Sequence, residues 1–341
     1  MNRGEKSYIL GHGQLAWMLE TQGRKLGLEI TCVDKNFNPN EAQVLTFESE
    51  FYDPIELAPL TQGLEVFPSL DNLKTLQDRL FQKQSLIECH LHTSPFSHFT
   101  TPQEVLTFFK KMGPLVAKKR VGGYDGYGTF ILKNTKTLKV FLDNNHNHLS
   151  HFIFEKFIPF EKEVALQVAR SRKGDIQFFP LVETQQKDNK CFLVLGPLKC
   201  PKSIQNKIKK WLNKIDYVGV MGIEFFQTGR ELVINEVAPR VHNTGHHTLD
   251  SCSVDQFTMH WLCALQDILP KVEVKTSAFA MLNLIGQSNS DVKFPNKIDG
   301  HLYWYKKSNR PGRKLGHINW TGKNKKSLKK RALNHLKSWK L

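Results

Sequence analysis

Residues 220–237 constrain the fold more than any other stretch of the chain. Val220-Met-Gly-Ile-Glu-Phe-Phe and Glu231-Leu-Val-Ile-Asn-Glu-Val are two strand-forming runs joined by Thr228-Gly-Arg, a pattern that predicts a β-hairpin. Side chains alternate along a strand, so a turn near Arg230 sets Glu224 and Glu236 opposite one another on one sheet face. The apolar neighbours Ile223, Phe225, Val233 and Ile234 argue against a fully solvated face. Two carboxylates held together repel, and a cation between them removes the repulsion. Mg2+ takes one or two protein carboxylates and completes its octahedron with waters and substrate phosphates, which makes Glu224 and Glu236 candidate metal ligands.

Sequence on either side of the hairpin extends this chemistry. Upstream, Leu115-Val-Ala-Lys-Lys reads as a strand leading into Gly122, Gly123, Gly126 and Gly128. So many glycines close together disfavour helix and long strand and free backbone N–H groups to fold over an anion. A mobile hairpin tip is the plainer alternative, but Lys118 places a cation beside the loop and favours phosphate. Downstream, Ala238-Pro-Arg-Val-His-Asn-Thr-Gly-His-His247 gathers Arg240, His242 and Asn243, a set suited to a small oxyanion. A zinc site at His242 and His246 lacks a cysteine pair or a clear third ligand. Near the start, Ser7–Asp34 reads as a β-α-β unit, and Gly11, Gly13 and Ala16 formally fit the dinucleotide turn G-x-G-x-x-G/A, with Asp34 as its acid. The periodicity predicts one helix over 70–88, and Thr93-Ser-Pro95 marks a boundary.

A chain of 341 residues has room for two or three domains, and 40% hydrophobic with 23% charged residues is ordinary for a folded soluble protein. Of the net charge of +16, the segment from His301 to Leu341 carries 13 basic residues and no acid, leaving +3 for the rest. Within it Leu328, Ala332, Leu336 and Trp339 fall at helical spacing, which predicts a terminal helix docked by that stripe with a solvated basic face rather than a nucleic-acid or membrane-binding tail. Six cysteines without a C-x-x-C pair suit reduced thiols. No apolar run reaches the ~18 residues of a membrane span, and Tyr8-Ile-Leu is too short for an export signal, so the expected compartment is the cytoplasm.

Taken in order along the chain, the motifs resemble the N5-carboxyaminoimidazole ribonucleotide synthetase family, ATP-grasp enzymes of purine biosynthesis. The resemblance is carried by Gly11-His-Gly-Gln-Leu, Gln77-Asp-Arg-Leu, Gly122-Gly-Tyr-Asp-Gly, Phe157-Ile-Pro-Phe-Glu-Lys-Glu163, Phe179-Pro-Leu-Val-Glu183, Asn235-Glu-Val-Ala-Pro-Arg-Val-His-Asn and Arg310-Pro-Gly-Arg-Lys-Leu-Gly-His317. It implies an α/β and α+β ATP-grasp fold. The expected parts are a shortened N-terminal α/β domain (1–92), an ATP-grasp domain (93–275, with a lid lobe at about 93–160) and a small C-terminal domain (276–341) ending in the basic helix. The implied ATP ligands are Arg79, Lys118, Gly122, Gly123, Gly126, Glu155, Lys156, Ile158 and Glu163, with Glu155 to Ile158 as the adenine hinge. Glu224 and Glu236 match the Mg2+ carboxylates. Arg240, His242 and Asn243 match the bicarbonate loop, joined by Asp125 as a catalytic residue. Gln14, Glu50, Tyr124, Lys307 and Arg313 fall on the 5-aminoimidazole ribonucleotide side. The resemblance implies ATP, bicarbonate and that ribonucleotide as substrates, and a homodimer. Three rival readings are an ATP-grasp ligase with another anionic acceptor, a nicotinamide dehydrogenase built on Gly11-x-Gly13, and a catalytically silent homologue binding RNA through its basic end.

Overall fold

The computed structural model describes residues 6–123, 126–339 and 341. Among these residues the strands form three sheets. The first is parallel, in the order β2-β1-β3-β4, from β1 (Lys6–Leu10), β2 (Glu29–Val33), β3 (Val44–Phe47) and β4 (Glu65–Val66). Helix α1 (Gln14–Lys25) makes the crossover between β1 and β2, which is the β-α-β unit expected from the sequence. Strand β1 is flanked on both sides and covered on both faces, so Tyr8, Ile9 and Leu10 are all buried. After α2 (Pro54–Leu57), the single helix expected over 70–88 is two helices, α3 (Leu70–Gln77) and α4 (Arg79–Ile87). They part at Asp78, whose backbone is extended (φ −88°, ψ 115°) and whose carboxylate accepts from the Leu80 N–H. Apolar spacing runs through the break undisturbed, but an aspartate that caps a helix outcompetes that periodicity.

The second sheet, in the order β5-β8-β6-β7, is antiparallel. Its elements run β5 (Phe96–Ser97), α5 (Pro102–Met112), β6 (Leu115–Lys119), β7 (Thr129–Leu132), α6 (Thr135–Asn145) and β8 (Phe152–Lys156). Phe141, Phe152 and Phe154 pack edge to face in its core. The glycine loop joins β6 to β7 at one end of this sheet.

The third sheet takes the rest of the chain: β9 (Lys162–Arg170), β10 (Ile176–Phe178), β11 (Leu181–Lys187), β12 (Lys190–Leu198), α7 (Lys202–Lys214), β13 (Gly219–Thr228), β14 (Glu231–Ala238), α8 (Thr248–Ser251), α9 (Gln256–Leu265), β15 (Ala278–Ile285), β16 (His301–Trp304), β17 (Lys314–Gly322) and α10 (Lys325–Leu336). Its order is β14-β13-β9-β11-β12-β15-β17-β16, with β10 on the end of β9, so the C-terminal strands continue the same sheet through the β12–β15 pairing. Ile204, Ile208, Trp211 and Leu212 of α7 are buried against it. Helix α9 joins it to the N-terminal sheet: Trp261 is fully buried and its indole N–H donates to Leu19 O at 2.9 Å. Helix α10 docks by Leu328 and Ala332, with Trp339 buried beyond its end, as its stripe predicts. The six cysteines are free thiols, and among the described residues no helix is long and apolar enough to cross a membrane.

Candidate active site

The second and third sheets, with the segments that follow β1 and β3, line one cavity of about 970 Å3. At its floor stands the hairpin of β13 and β14, in the register the sequence predicts, with Glu224 directly opposite Glu236. A bulge follows at once: Phe225 pairs with Ile234, leaving Asn235 as the extra residue on β14. Strict alternation would turn Asn235 away from Glu236. The bulge instead brings both into the cavity lining, and Asn235 Oδ1 accepts from Lys118 Nζ at 2.7 Å. Asn235 was legible as a neighbour of Glu236, but its direction was not.

Lys118, on β6, is buried and donates also to Glu155 Oε2 (3.2 Å) on the adjacent strand β8. Burial pushes the Glu155 carboxyl up, but Lys118, Lys83 and a hydrogen bond from Ser94 outweigh it and hold the group down at about 2. Glu155 therefore binds the lysines through Oε2, while Oε1 has no hydrogen-bond partner among the described residues and the residue also lines the cavity. The rest of the hinge, Lys156 and Ile158, lines the cavity, as does Glu163 on β9, whose carboxyl is raised by burial against a hydrogen bond from Gln186.

Arg79, expected to be a phosphate cation, is held by the protein itself. Its guanidinium, at the start of α4, donates to Glu236 Oε1 (2.9 Å), Lys119 O (3.1 Å) and Gly123 O (3.2 Å), and it does not line the cavity. It ties the base of the glycine loop to the hairpin. Gly122, Gly126 and Gly128 hold positive φ near 80°, the backbone this loop needs and only glycine adopts freely. Gly123 and Gly126 line the cavity, whereas Gly122 does not. Tyr124 and Asp125 lie outside the described residues.

Beyond β14, Arg240 forms a two-pronged pair with Glu50, through Nε and through Nη2 (3.0 Å). The two residues were assigned to different substrates; the fold makes them partners. His242 Nε2 lies 3.8 Å from Glu224, and its Nδ1 is 2.8 Å from the Thr244 hydroxyl. Burial, with the charges of Arg240 and Lys314, holds the imidazole well below its ordinary pKa, so it is neutral. Asn243 Oδ1 accepts from Gln14 Nε2 (2.9 Å), and Gln14 Oε1 accepts from Lys307 Nζ (2.9 Å), which links the three parts of the chain across the cavity. Arg313 turns instead to the Ser308 hydroxyl (2.7 Å) and does not line the cavity, whereas its neighbour Lys314 does. One step along a strand reverses the side chain's direction, so sequence proximity alone could not choose between them.

The dinucleotide turn is blocked. Glu48 accepts from the Gly13 N–H (2.8 Å) and the Ala16 N–H (3.2 Å), taking the helix N-terminal donors a pyrophosphate would need. A side chain at Gly11 or Gly13 would land on that carboxylate, so the glycines make room for Glu48. Asp34 is exposed and pairs with His12. This overturns the nicotinamide reading.

The paired glutamates fit a divalent cation of the Mg2+ type: two carboxylates face each other in a cavity that also holds a lysine and a glycine loop suited to phosphate.

Residues 84–257 match the ATP-grasp domain family, and residues 279–331 match the phosphoribosylaminoimidazole carboxylase C-terminal domain. The N5-carboxyaminoimidazole ribonucleotide synthase of Haemophilus influenzae is 36% identical, with 93% of this chain and 89% of that protein covered. The N5-carboxyaminoimidazole ribonucleotide synthetase structure from Thermus thermophilus superposes with a TM-score of 0.85 at 30% identity over 97% of each chain. The N5-carboxyaminoimidazole synthetase structure from Staphylococcus aureus, complexed with ADP, gives a TM-score of 0.87 at 25% identity over 98% of each chain.

Proposed function

Because the chain belongs to the N5-carboxyaminoimidazole ribonucleotide synthase family of ATP-grasp enzymes, we propose a site-by-site account of how it performs that family's reaction. The chain is an ATP-dependent ligase of purine biosynthesis that carboxylates 5-aminoimidazole ribonucleotide to its N5-carboxyamino product. In our reading bicarbonate supplies the carboxyl group. Its phosphorylation by ATP gives carboxyphosphate and ADP, and carboxyphosphate releases CO2 to the exocyclic amine of the ribonucleotide. Bicarbonate is a poor electrophile, and attaching phosphate supplies the leaving group. What remains for the protein is positioning and charge neutralisation.

The observation that carries this reading is the composition of one cavity: Lys118 and the glycine loop at one end, Glu224 and Glu236 on the floor, Arg240 and Asn243 beside them, Lys307 and Lys314 opposite. Lys118 and the loop N–H groups meet the ATP phosphates, Glu163 meets the ribose, and the backbone of Lys156 to Ile158 meets the adenine. Glu224 and Glu236 would hold Mg2+, which neutralises phosphate charge when bound. Arg240, fixed in its plane by Glu50, and Asn243, fixed by Gln14, hold bicarbonate. The neutral His242 offers one hydrogen bond without adding charge. Lys307 and Lys314 answer the ribonucleotide phosphate. Excluding water by closing the glycine loop would protect the labile intermediate. The division at 92/93 and 275/276, a cytoplasmic setting and a homodimer belong to the same reading.

ADP release from MgATP and bicarbonate, with and without 5-aminoimidazole ribonucleotide, tests it. Strong stimulation by the ribonucleotide is expected, and unstimulated turnover would move the acceptor elsewhere. Glu236→Ala should lower turnover at least about a hundredfold. Near-normal ADP production by that variant would overturn the metal assignment.

A further inference from the structure

Lys83 is 1% exposed and does not line the cavity, yet it is built into the base of the phosphate site. Its ammonium donates to Thr93 Oγ1 (2.5 Å) and Ser94 Oγ (3.1 Å) and sits 3.2 Å from Glu155 Oε2. Thr93 passes its own proton on to Ile234 O (2.7 Å) of β14, and Ser94 donates to Glu155 Oε2 (2.6 Å). That same carboxylate oxygen is the one Lys118 touches at 3.2 Å. Thr93-Ser-Pro95, which the sequence marks only as a boundary, is thus the socket of a buried lysine.

The charge count gives this socket a purpose. Glu155 carries one negative charge and faces two lysines. With Lys83 protonated the trio holds one net positive charge; Lys118 and Glu155 both line the cavity, and Lys118 is the cation there. Without the charge of Lys83, Lys118 and Glu155 would form a neutral, closed pair. We propose that Lys83 is a positioning residue for nucleotide binding: by satisfying Glu155 from behind, it leaves the charge of Lys118 available to a nucleotide phosphate. The proposal rests on reading this cavity as the ATP site. The groups facing Lys83 are Glu155 from β8, Lys118 from β6, Arg79 from its own helix, the two hydroxyls, and the Phe96 ring at 5.9 Å. Burial, with Lys118 and Arg79 adding to it, lowers the ammonium to about 8 against the pull of Glu155. The charge is therefore present at pH 7 and mostly gone at pH 9.

The test is the Kd for ADP, measured calorimetrically from pH 7 to pH 9 on the full chain without ribonucleotide. In the unaltered protein Kd should rise about fivefold across this range, since at pH 9 an amine with a pKa of about 8 is about one-tenth charged and ADP, binding about tenfold more tightly to the charged form, restores about half of that charge. Lys83→Met should start about tenfold weaker at pH 7 and stay flat. Lys83→Arg, whose charge does not titrate here, should bind normally at pH 7 and also stay flat. Normal ADP affinity in Lys83→Met at pH 7 would overturn the proposal. Should Lys83→Met fail to fold, as thermal unfolding would show, persistence of the alkaline rise in Lys83→Arg would overturn it equally. Ribonucleotide-stimulated ADP release by the unaltered protein is scored separately: ADP binding without stimulation refutes the acceptor and leaves Lys83 intact, whereas no ADP binding refutes both.

Discussion

Around Glu155 the protein buries charges; around His246 it buries polar rings with none. In the first region Lys83, Glu155 and Lys118 are at most 7% exposed, and each ion has an opposite partner within 3.2 Å. In the second, His246, His247, His260 and His317 are at most 1% exposed, and burial drives their imidazoles far below the ordinary range, to about 3 for the last three. Each ring is held by hydrogen bonds or stacking. His260 Nδ1 accepts from the Val220 N–H (3.0 Å) while its Nε2 meets the Thr46 hydroxyl (2.7 Å); His247 stacks on Phe279, and His317 on Tyr303. Desolvation acts on both regions, with opposite solutions. Beside the cavity, the charges are kept and left unbalanced by one. Where the loop after β14 and α9 are clamped to the sheets, the titratable groups are emptied of charge, because nothing there would compensate it.

Breaking the pairing of charges should have the largest effect. Arg240→Met strands Glu50 in a largely buried position and should cost about 3 kcal/mol in urea unfolding, with loss of ADP production. A cost below about 1 kcal/mol would mean that these ions are effectively solvated, and the contrast would fail. The neutral region should be exposed by acid. A histidine whose folded pKa is depressed from 6.5 to about 3 contributes stability that is complete above 6.5 and is lost as pH falls through this window. At pH 5.5 each such ring should cost about 1.4 kcal/mol. Glu155, depressed to about 2, loses its contribution only below about 4.5. Hydrogen exchange on stepwise acidification should therefore loosen amides near Val220 and His247 before those of β6 and β8. The reverse order would contradict the assignment of charge states. The surface should respond least: Arg331 pairs with Asp299 in the open, and Arg331→Gln should change stability by less than about 1 kcal/mol.

What the sequence disclosed follows the same division. The hairpin and its two acids on facing strands were readable from a period of two and a short turn, both local, but the turn that pairs Thr228 with Glu231 would by itself set Asn235 opposite Glu224, and the bulge is what puts Glu236 there. Lys118 and the glycine loop were readable as neighbours because they are adjacent in sequence and the loop's composition is unusual, and Lys118, Gly123 and Gly126 do line one cavity. Four things were not readable. The bulge that turns Asn235 depends on one extra residue that no period reveals. Glu48 and Lys83 act on groups brought together only by folding: Glu48 on a turn some 35 residues before it, Lys83 on a strand 72 residues after it. The break at Asp78 was the one miss with a local signal, an aspartate placed to cap α4.

The link from Lys307 through Gln14 to Asn243 joins residues 293 and 229 positions apart. A chain made from its N-terminus acquires Gln14 first and Lys307 last of the three, so this crossing of the cavity can close only after Lys307 has been made. β16 and β17, which finish the large sheet, are also added last. Contacts of such separation are slow to form. A growing chain thus acquires its glycine loop and paired glutamates well before Lys307 and Lys314 complete the lining of the cavity.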